Sequence, residues 1–320
     1  MIVGLIGTGA MGFPMARRLI ESRYEVILYA RRPERIAELG AQGAQIVESP
    51  AALGTRCNIV LTILPDGAIV REVLVSARMG EVPGAASMVI DCSTSLPSDS
   101  RANAELLQGQ GIGFVDAPMS GGPPAAQEGS LTFMVGGSPK EFEEASKVLA
   151  VLGDRDHIFH VGPTGSGATL KLINNLLLTT NVAVLAEAFR LARQAGLAEN
   201  DVVQVVSGSS GTSRVLEKWL PRKVLANDLE PGFSVQNAWK DCSQIAQMAQ
   251  GLGVAIPFSS LTRKVYEACI DAGWSERDFS VALLLEGGMG SMIGGGAHRV
   301  DLAADELAHI TDHDRPPLFD

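Results

Sequence analysis

Short apolar runs alternate with helical patterns along the first half of the chain. Apolar, β-branched runs predict buried strands at residues 2–6, 25–29, 44–47, 58–64, 87–91, 112–116, 131–135 and 157–161. Apolar positions at helical spacing predict intervening helices at residues 13–21, 33–39, 67–77, 97–108 and 139–152. This alternation predicts an α/β domain, with a doubly wound, mostly parallel sheet and helices on both faces.

The pattern changes after residue 165. Residues 168–193 contain neither Gly nor Pro and are apolar on nearly every side, which predicts a long helix buried by its neighbours. Further helices are predicted at residues 199–206, 213–219, 235–251 and 257–272. We therefore expect an α/β domain over residues 1–162, an all-α domain built on the long buried helix over 163–290, and a polar, partly flexible C-terminal tail over 291–320.

Composition narrows the possible partners. The 320 residues carry a net charge of −10, which disfavours nucleic acid and anionic membranes. No unbroken apolar run approaches the ~18–20 residues of a membrane span. Four cysteines without metal-site spacing, and a chain that starts directly on a strand, predict a cytoplasmic protein with reduced thiols. His309 and His313 lie one helical turn apart in the acidic tail, where a solvated tail is favoured over a metal site.

A glycine-rich turn follows the first predicted strand and opens a helix. Its G-x-G-x-x-G pattern comprises Gly7, Gly9 and Gly12, with Ala10 and Met11 before the last glycine. In this context the pattern is typical of a Rossmann-type dinucleotide site, in which the helix N-terminus binds the pyrophosphate. The alternative is a glycine turn with no ligand.

Two arginines follow the second predicted strand. NAD enzymes usually have an acidic residue there, but this chain has Arg31 and Arg32. Guanidinium groups suit the 2′-phosphate of NADP, so we predict NADP as the preferred cofactor, with NAD possible. The alternative is that both arginines are solvated surface charges and the cofactor choice is relaxed.

Two further patterns suggest a substrate site. Lys171 and Asn175 lie one turn apart on the long apolar helix, just beyond the predicted domain boundary. A partly desolvated Lys171 suits a general acid/base, with Asn175 hydrogen-bonding the substrate, although a lysine that snorkels to solvent has the same pattern. A second candidate is the segment Ser120-Gly121-Gly122, which has a hydroxyl and unhindered backbone N–H groups. This segment is interpreted as an anion-binding nest, and the alternative is a plain turn.

Four blocks of sequence resemble the β-hydroxyacid dehydrogenases, of the 3-hydroxyisobutyrate dehydrogenase type. They are GLIGTGAMGFPMA at residues 4–16, FVDAPMSGG at 114–122 with its continuation to 137, KLINN at 171–175, and KD at 240–241. The resemblance implies that the Ser120 loop binds a substrate carboxylate. It also implies that Lys240 reaches over the nicotinamide end of the cofactor and that Asp241 helps to close the substrate site.

The resemblance also places the ends of two strands near the nicotinamide, as the carboxyl-end rule for parallel sheets requires. These positions are Leu64 and Pro65 after one strand and Thr94 after another. This chain departs from related enzymes in two respects. The 6-phosphogluconate dehydrogenases have His-Asn where this chain has Asn174 and Asn175. The 3-hydroxyisobutyrate enzymes usually favour NAD, whereas Arg31 and Arg32 of this chain favour NADP.

Together these observations predict an NAD(P)-dependent oxidoreductase that interconverts a short 3-hydroxy acid and its semialdehyde, with Lys171 as the acid/base. The expected partner is a small substrate with a carboxylate. The apolar surface of the long helix exceeds what one small domain covers, so a homodimer or homotetramer is expected. The alternatives are a non-catalytic NADP-binding scaffold or sensor, and an imine-type reductase.

Overall fold

The computed structural model of the protein describes residues 1–81 and 86–285. Its strands are β1 (Ile2–Ile6), β2 (Glu25–Tyr29), β3 (Gln45–Val47), β4 (Ile59–Thr62), β5 (Met88–Asp91), β6 (Gly113–Asp116), β7 (Met119–Ser120), β8 (Leu131–Gly136) and β9 (Gly153–Gly162). Its α-helices are α1 (Gly12–Glu21), α2 (Ala37–Ala41), α3 (Pro50–Gly54), α4 (Gly67–Ala77), α5 (Pro97–Gln108), α6 (Gly122–Glu128), α7 (Pro139–Leu152), α8 (Ser166–Gln194), α9 (Glu199–Ser207), α10 (Val235–Leu252) and α11 (Pro257–Asp271).

The strands form one sheet in the order β3-β2-β1-β4-β5-β6-β8-β7, with β9 paired to β8. The strands from β3 to β6 along this order are all parallel, whereas β8 is antiparallel to both β6 and β7. The direction of winding reverses between β1 and β4, so a crevice is expected at the carboxyl ends of these two strands. The predicted fold class, a doubly wound α/β sheet followed by helices, is confirmed.

Apolar layers cover both faces of the sheet. Successive residues of β5 contribute to different layers, since Val89 packs in one apolar cluster and Ile90 in the other. This alternation follows from the two-residue period of a strand. All four residues of β5 are nevertheless buried, which explains why its sequence is a continuous apolar run rather than an alternating pattern.

The 29-residue helix α8 organises the second part of the chain. It packs against β8 and β9 near its N-terminus and against α10 and α11 along its length. Val182, Ala186 and Phe189 lie on its buried side at helical spacing. Among the described residues, α8 alone has the length and hydropathy of a membrane-crossing helix. Its contacts with the sheet and with the other helices make it the central helix of the helical domain.

Several elements depart from the sequence prediction. The short elements α3, α6 and β7 were not predicted, and β9 begins at Gly153 rather than at residue 157. After the buried Gly153, residues 154–156 of β9 are polar and exposed, so their pattern does not indicate a strand. Residues 213–219, predicted as an α-helix, contain a π-helical turn at Val215–Trp219. The predicted C-terminal tail, with His309 and His313, lies outside the described residues.

Candidate active site

Two glycines of the glycine-rich turn lie too close to backbone carbonyl oxygens to have a side chain. A Cβ at Gly7 would lie 2.1 Å from the Ile63 carbonyl oxygen. A Cβ at Gly12 would lie 1.9 Å from the Gly7 carbonyl oxygen. The turn therefore brings the first residue of α1 against the end of β1, beside the loop that follows β4.

Gly9 is different, since a Cβ there would meet no atom within 4 Å among the described residues. Gly9 and Ala10 are exposed, and α1 starts after Met11 without a side-chain cap from the described residues or an acidic residue in its first turn. The N–H groups and the positive end of the helix dipole are thus available to an anion. This combination fits the pyrophosphate of a dinucleotide, for which close backbone approach at Gly9 is needed.

Arg31 and Arg32 follow β2 and are both exposed. Among residues 1–81 and 86–285, no ion pair involves either guanidinium. Two uncompensated guanidinium groups at this strand end fit the 2′-phosphate of NADP.

The loops after β4 and β5 are held together by a buried network. The Leu64 N–H donates to Ser93 Oγ over 2.9 Å. Asp91 Oδ1 accepts hydrogen bonds from the Thr62 hydroxyl at 2.9 Å and from the Ser93 N–H at 3.0 Å. Burial raises the pKa of the Asp91 carboxyl, although the bonds from Ser93 and Thr62 oppose this effect. Nothing in the local sequence pattern marks Asp91 as a site residue, yet it shapes the loops predicted to face the nicotinamide.

Lys240 of α10 joins the helical domain to these two loops. Its Nζ donates to the Pro65 carbonyl oxygen at 2.6 Å and to the Thr94 carbonyl oxygen at 3.5 Å. It also lies 3.0 Å from Asp241 Oδ1 as an ion pair. The structure thus brings together the predicted residues Pro65, Thr94, Lys240 and Asp241 at the carboxyl ends of β4 and β5.

Asn175 and Asp241 form a buried pair between α8 and α10. The Asn175 Nδ2 donates to Asp241 Oδ2 over 2.6 Å, and Asn175 Oδ1 accepts from the Asn174 Nδ2 at 3.0 Å. Both Asn175 and Asp241 are only 1% exposed. The Asp241 carboxylate is therefore directed at Asn175 and Lys240, and it supports both of these side chains at the predicted substrate site.

Lys171 lies one turn before Asn175 on α8 and is half-buried. Desolvation lowers the pKa of its ammonium from 10.5 to about 8; the Lys240 charge adds to this effect, and the Asp241 charge opposes it. Within the part of the chain that the structure describes, no hydrogen bond or ion pair involves the Lys171 side chain. A lysine with this pKa can both donate and accept a proton near neutral pH.

The Ser120 loop connects β7 to α6. Gly121 and Gly122 have φ angles of +129° and +70°, values that glycine adopts without strain. Ser120 is half-buried at the end of β7, which pairs with β8, the strand that α8 packs against. The loop therefore depends on two consecutive glycines at positive φ and lies beside β8, the strand that α8 packs against.

Comparison with known proteins agrees with this architecture. Residues 2–162 match the family model of the NAD-binding domain of 6-phosphogluconate dehydrogenase. Residues 165–285 match the model described as the NAD-binding domain of NADP-dependent 3-hydroxyisobutyrate dehydrogenase.

Individual relatives cover most of the chain. The 2-(hydroxymethyl)glutarate dehydrogenase of Eubacterium barkeri is 33% identical over 88% of this chain and 93% of its own length. The mitochondrial 3-hydroxyisobutyrate dehydrogenase of Rattus norvegicus is also 33% identical, over 87% of this chain and 84% of its own length.

A solved structure shares the same architecture. The 3-hydroxyisobutyrate dehydrogenase of Mycobacterium tuberculosis with L-serine superimposes with a TM-score of 0.80. It is 29% identical and covers 88% of this chain and 98% of its own. With the matched family models and the cofactor turn described above, the chain is an NAD(P)-binding oxidoreductase and belongs to the β-hydroxyacid dehydrogenase family.

Proposed function

We propose that the protein interconverts a short 3-hydroxy acid and its semialdehyde, with NADP preferred and Lys171 as the general acid/base. The observation that carries this proposal is the position of Lys171, whose pKa burial lowers to about 8. Lys171 lies one turn before Asn175, and the Asn175 amide donates a hydrogen bond to Asp241. Asp241 also pairs with Lys240, whose Nζ contacts the loops after β4 and β5.

The acid/base role follows from the two charge states of Lys171. In the oxidation direction the neutral amine accepts the proton of the substrate hydroxyl, and in reduction the ammonium donates a proton to the carbonyl oxygen. The bound nicotinamide supplies or accepts the hydride. Asn175 holds the substrate oxygen through the second proton of its amide, because its first is donated to Asp241.

The substrate class is argued from two features. The Ser120 loop has a hydroxyl and two glycines without side chains, so its backbone N–H groups are accessible to a substrate carboxylate. The compounds named with the relatives, 2-(hydroxymethyl)glutarate, 3-hydroxyisobutyrate and L-serine, all have a hydroxymethyl group on the carbon next to a carboxylate. We therefore propose a substrate of the form HO–CH2–CHR–COO⁻, or its aldehyde, with the group R unassigned.

NADP preference rests on the exposed Arg31 and Arg32, which lack ion-pair partners among the described residues. A non-catalytic scaffold would need these arginines but would have no use for a lysine with a lowered pKa beside Asn175. An imine-type reductase would act on carbon–nitrogen bonds and would not depend on Lys171.

Self-association and a cytoplasmic location remain predictions. Leu177, Val184 and Leu191 of α8 have exposed fractions of 58%, 55% and 73%, which supports the prediction of a homodimer or homotetramer. Size-exclusion chromatography with light scattering measures the assembly directly; a monomer at micromolar concentration would contradict it.

A spectrophotometric screen at 340 nm tests the proposed reaction. NADP and NAD are paired with 3-hydroxyisobutyrate, serine, 2-(hydroxymethyl)glutarate and 3-hydroxypropionate, and NADPH and NADH with the corresponding aldehydes. We expect turnover with at least one of these compounds and a higher kcat/KM with the phosphorylated cofactor. Turnover of lactate or another 2-hydroxy acid, with none of the 3-hydroxy acids or their aldehydes, would contradict the proposal.

A further inference from the structure

A buried carboxylate connects the sheet to the start of α8. Asp116 is the last residue of β6 and is 1% exposed. Its Oδ1 accepts a hydrogen bond from the Gly165 N–H, and its Oδ2 accepts one from the Ala168 N–H, both over 2.7 Å. The N–H groups at the start of a helix have no hydrogen-bond partner within the helix. Each Asp116 oxygen accepts from one such N–H group of α8.

The start of α8 lies unusually close to the sheet around Asp116. A Cβ at Gly167 would lie 2.3 Å from the Met134 carbonyl oxygen and 2.6 Å from the Asp116 carbonyl oxygen. A Cβ at Gly136, on β8, would lie 2.5 Å from Asp116 Oδ1 and 2.9 Å from the Gly167 N atom. Backbone atoms and the Asp116 carboxylate occupy the space that side chains at Gly136 and Gly167 would need. The first turn of α8 therefore packs directly against the sheet.

Asp116 is also near both parts of the candidate site, to one through its hydrogen bond with Ala168 and to the other along the chain. Lys171 lies three residues after Ala168 on α8, hence on the same side of the helix. Ser120 lies four residues after Asp116 along the chain. A shift at Asp116 would therefore move the lysine helix and the Ser120 loop relative to each other.

We propose that Asp116 is a positioning residue of the reaction, which sets the location of Lys171 relative to the Ser120 loop by holding the first turn of α8. This inference rests on the proposed function, in which Lys171 moves the proton. A misplacement of reacting groups by about 1 Å costs on the order of 100-fold in rate, so a small movement of α8 has a large effect.

The first test compares two substitutions with the same chemistry. Asp116→Asn replaces one acceptor oxygen with an NH2 group, which faces a backbone N–H. Glu141→Gln is the matched control, because Glu141 also accepts one N–H on each oxygen, from Phe114 at 3.2 Å and from Ser138 at 2.8 Å, but holds α7 instead.

We expect Asp116→Asn to lower kcat at least ~10-fold and to leave the Kd of NADPH, measured by fluorescence, within about twofold of wild type. Glu141→Gln should keep kcat within about twofold. A wild-type kcat for Asp116→Asn, or an equal loss of kcat in both variants, would overturn the proposal, since the latter reports general destabilisation.

A second pair of variants keeps the test usable if Asp116→Asn does not fold. Gly165→Ala strains a residue at φ +92° that donates to Asp116, and its Cβ would lie 3.1 Å from the Pro97 carbonyl oxygen and 2.7 Å from Arg101 Nη1, so it displaces the start of α8. Gly196→Ala strains a residue at φ +77° just beyond the other end of α8, where a Cβ meets no described atom within 4 Å. Only Gly165→Ala should lower kcat, again without a change in NADPH affinity. Equal effects, or no effect of Gly165→Ala, would contradict the proposal.

A readout that does not depend on turnover separates this inference from the proposed function. The rate of Lys171 acylation is measured against pH by mass spectrometry, in wild type and in Asp116→Asn. We expect a midpoint near the pKa of about 8 in wild type and a higher midpoint in the variant, because a displaced helix hydrates the amine. An unchanged midpoint overturns the inference. Full activity of Lys171→Ala would instead defeat the proposed function and with it the role of Asp116 in the reaction, whereas the acylation midpoint reports separately whether Asp116 sets the position of Lys171.

Discussion

The pH dependence of the two reaction directions gives the sharpest prediction. Burial lowers the pKa of Lys171 from 10.5 to about 8. At pH 7 about one lysine in 11 is then neutral, compared with about one in 3,000 at the unshifted value, so the supply of base rises roughly 300-fold. This gain applies to oxidation, whereas reduction uses the ammonium, which still predominates at pH 7.

The sign differs between the two directions. For oxidation, kcat/KM should rise about tenfold per pH unit up to about pH 8 and then level off. For reduction, kcat/KM should be flat up to about pH 8 and fall above it. The assay is absorbance at 340 nm between pH 6 and 10, with enzyme stability checked at each pH. Profiles that bend in the same direction, or a common midpoint above pH 9.5, would show that Lys171 is not the group that moves the proton.

Asp241 provides an internal check on this assignment. Its negative charge raises the pKa of Lys171, so Asp241→Asn should move the midpoint of both profiles to lower pH. The same change weakens the hold on Asn175 and Lys240 and should lower kcat as well. A midpoint that stays in place or moves to higher pH would show that another group titrates.

Three further predictions concern single sites. Gly9→Ala should leave the melting temperature within about 1 °C, because its Cβ enters open space, yet weaken NADPH binding at least ~10-fold in a fluorescence titration, since that methyl meets the pyrophosphate; unchanged binding would contradict this. Arg31→Ala with Arg32→Ala should raise the Kd of NADPH ~10–150-fold, at about 1.5–3 kcal/mol for charge-assisted hydrogen bonds, and leave that of NADH nearly constant; equal losses for both cofactors would exclude the 2′-phosphate contact. Asn175→Ala removes the amide donor of the buried Asp241 Oδ2 and leaves the ion pair with Lys240, at about 1.5–3 kcal/mol for a hydrogen bond to a charged group, and should lower Tm by ~3–12 °C in differential scanning calorimetry, whereas Asn174→Ala should change it by ~2 °C or less.

Much of the fold follows from local sequence. The continuous apolar runs that became β1, β4 and β5 predict buried parallel strands, and the glycine turn predicts the start of α1. The one-turn spacing of Lys171 and Asn175 also holds on α8. The five-residue α3 and the two-residue β7 are too short to have a period, so their existence depends on tertiary contacts.

The supporting contacts of the site depend on long-range geometry. Asp116 meets partners 49 and 52 residues further along the chain, and Asn175 meets Asp241 across 66 residues. Lys240 reaches Pro65 across 175 residues. The spacing of residues in the sequence does not predict such distant pairs. The partner of a buried Asp, such as Asp116 or Asp241, is known only from the folded structure.

Replacement of Lys171 tests directly whether this side chain moves the proton during turnover. Lys171→Ala is compared with wild type in steady-state assays at pH 7.5 on the substrate with the highest kcat/KM, with NADPH binding measured in parallel. We expect kcat to fall at least ~100-fold, the lower range for loss of a general acid/base, with NADPH affinity unchanged. A variant that binds NADPH and retains the wild-type kcat would contradict it.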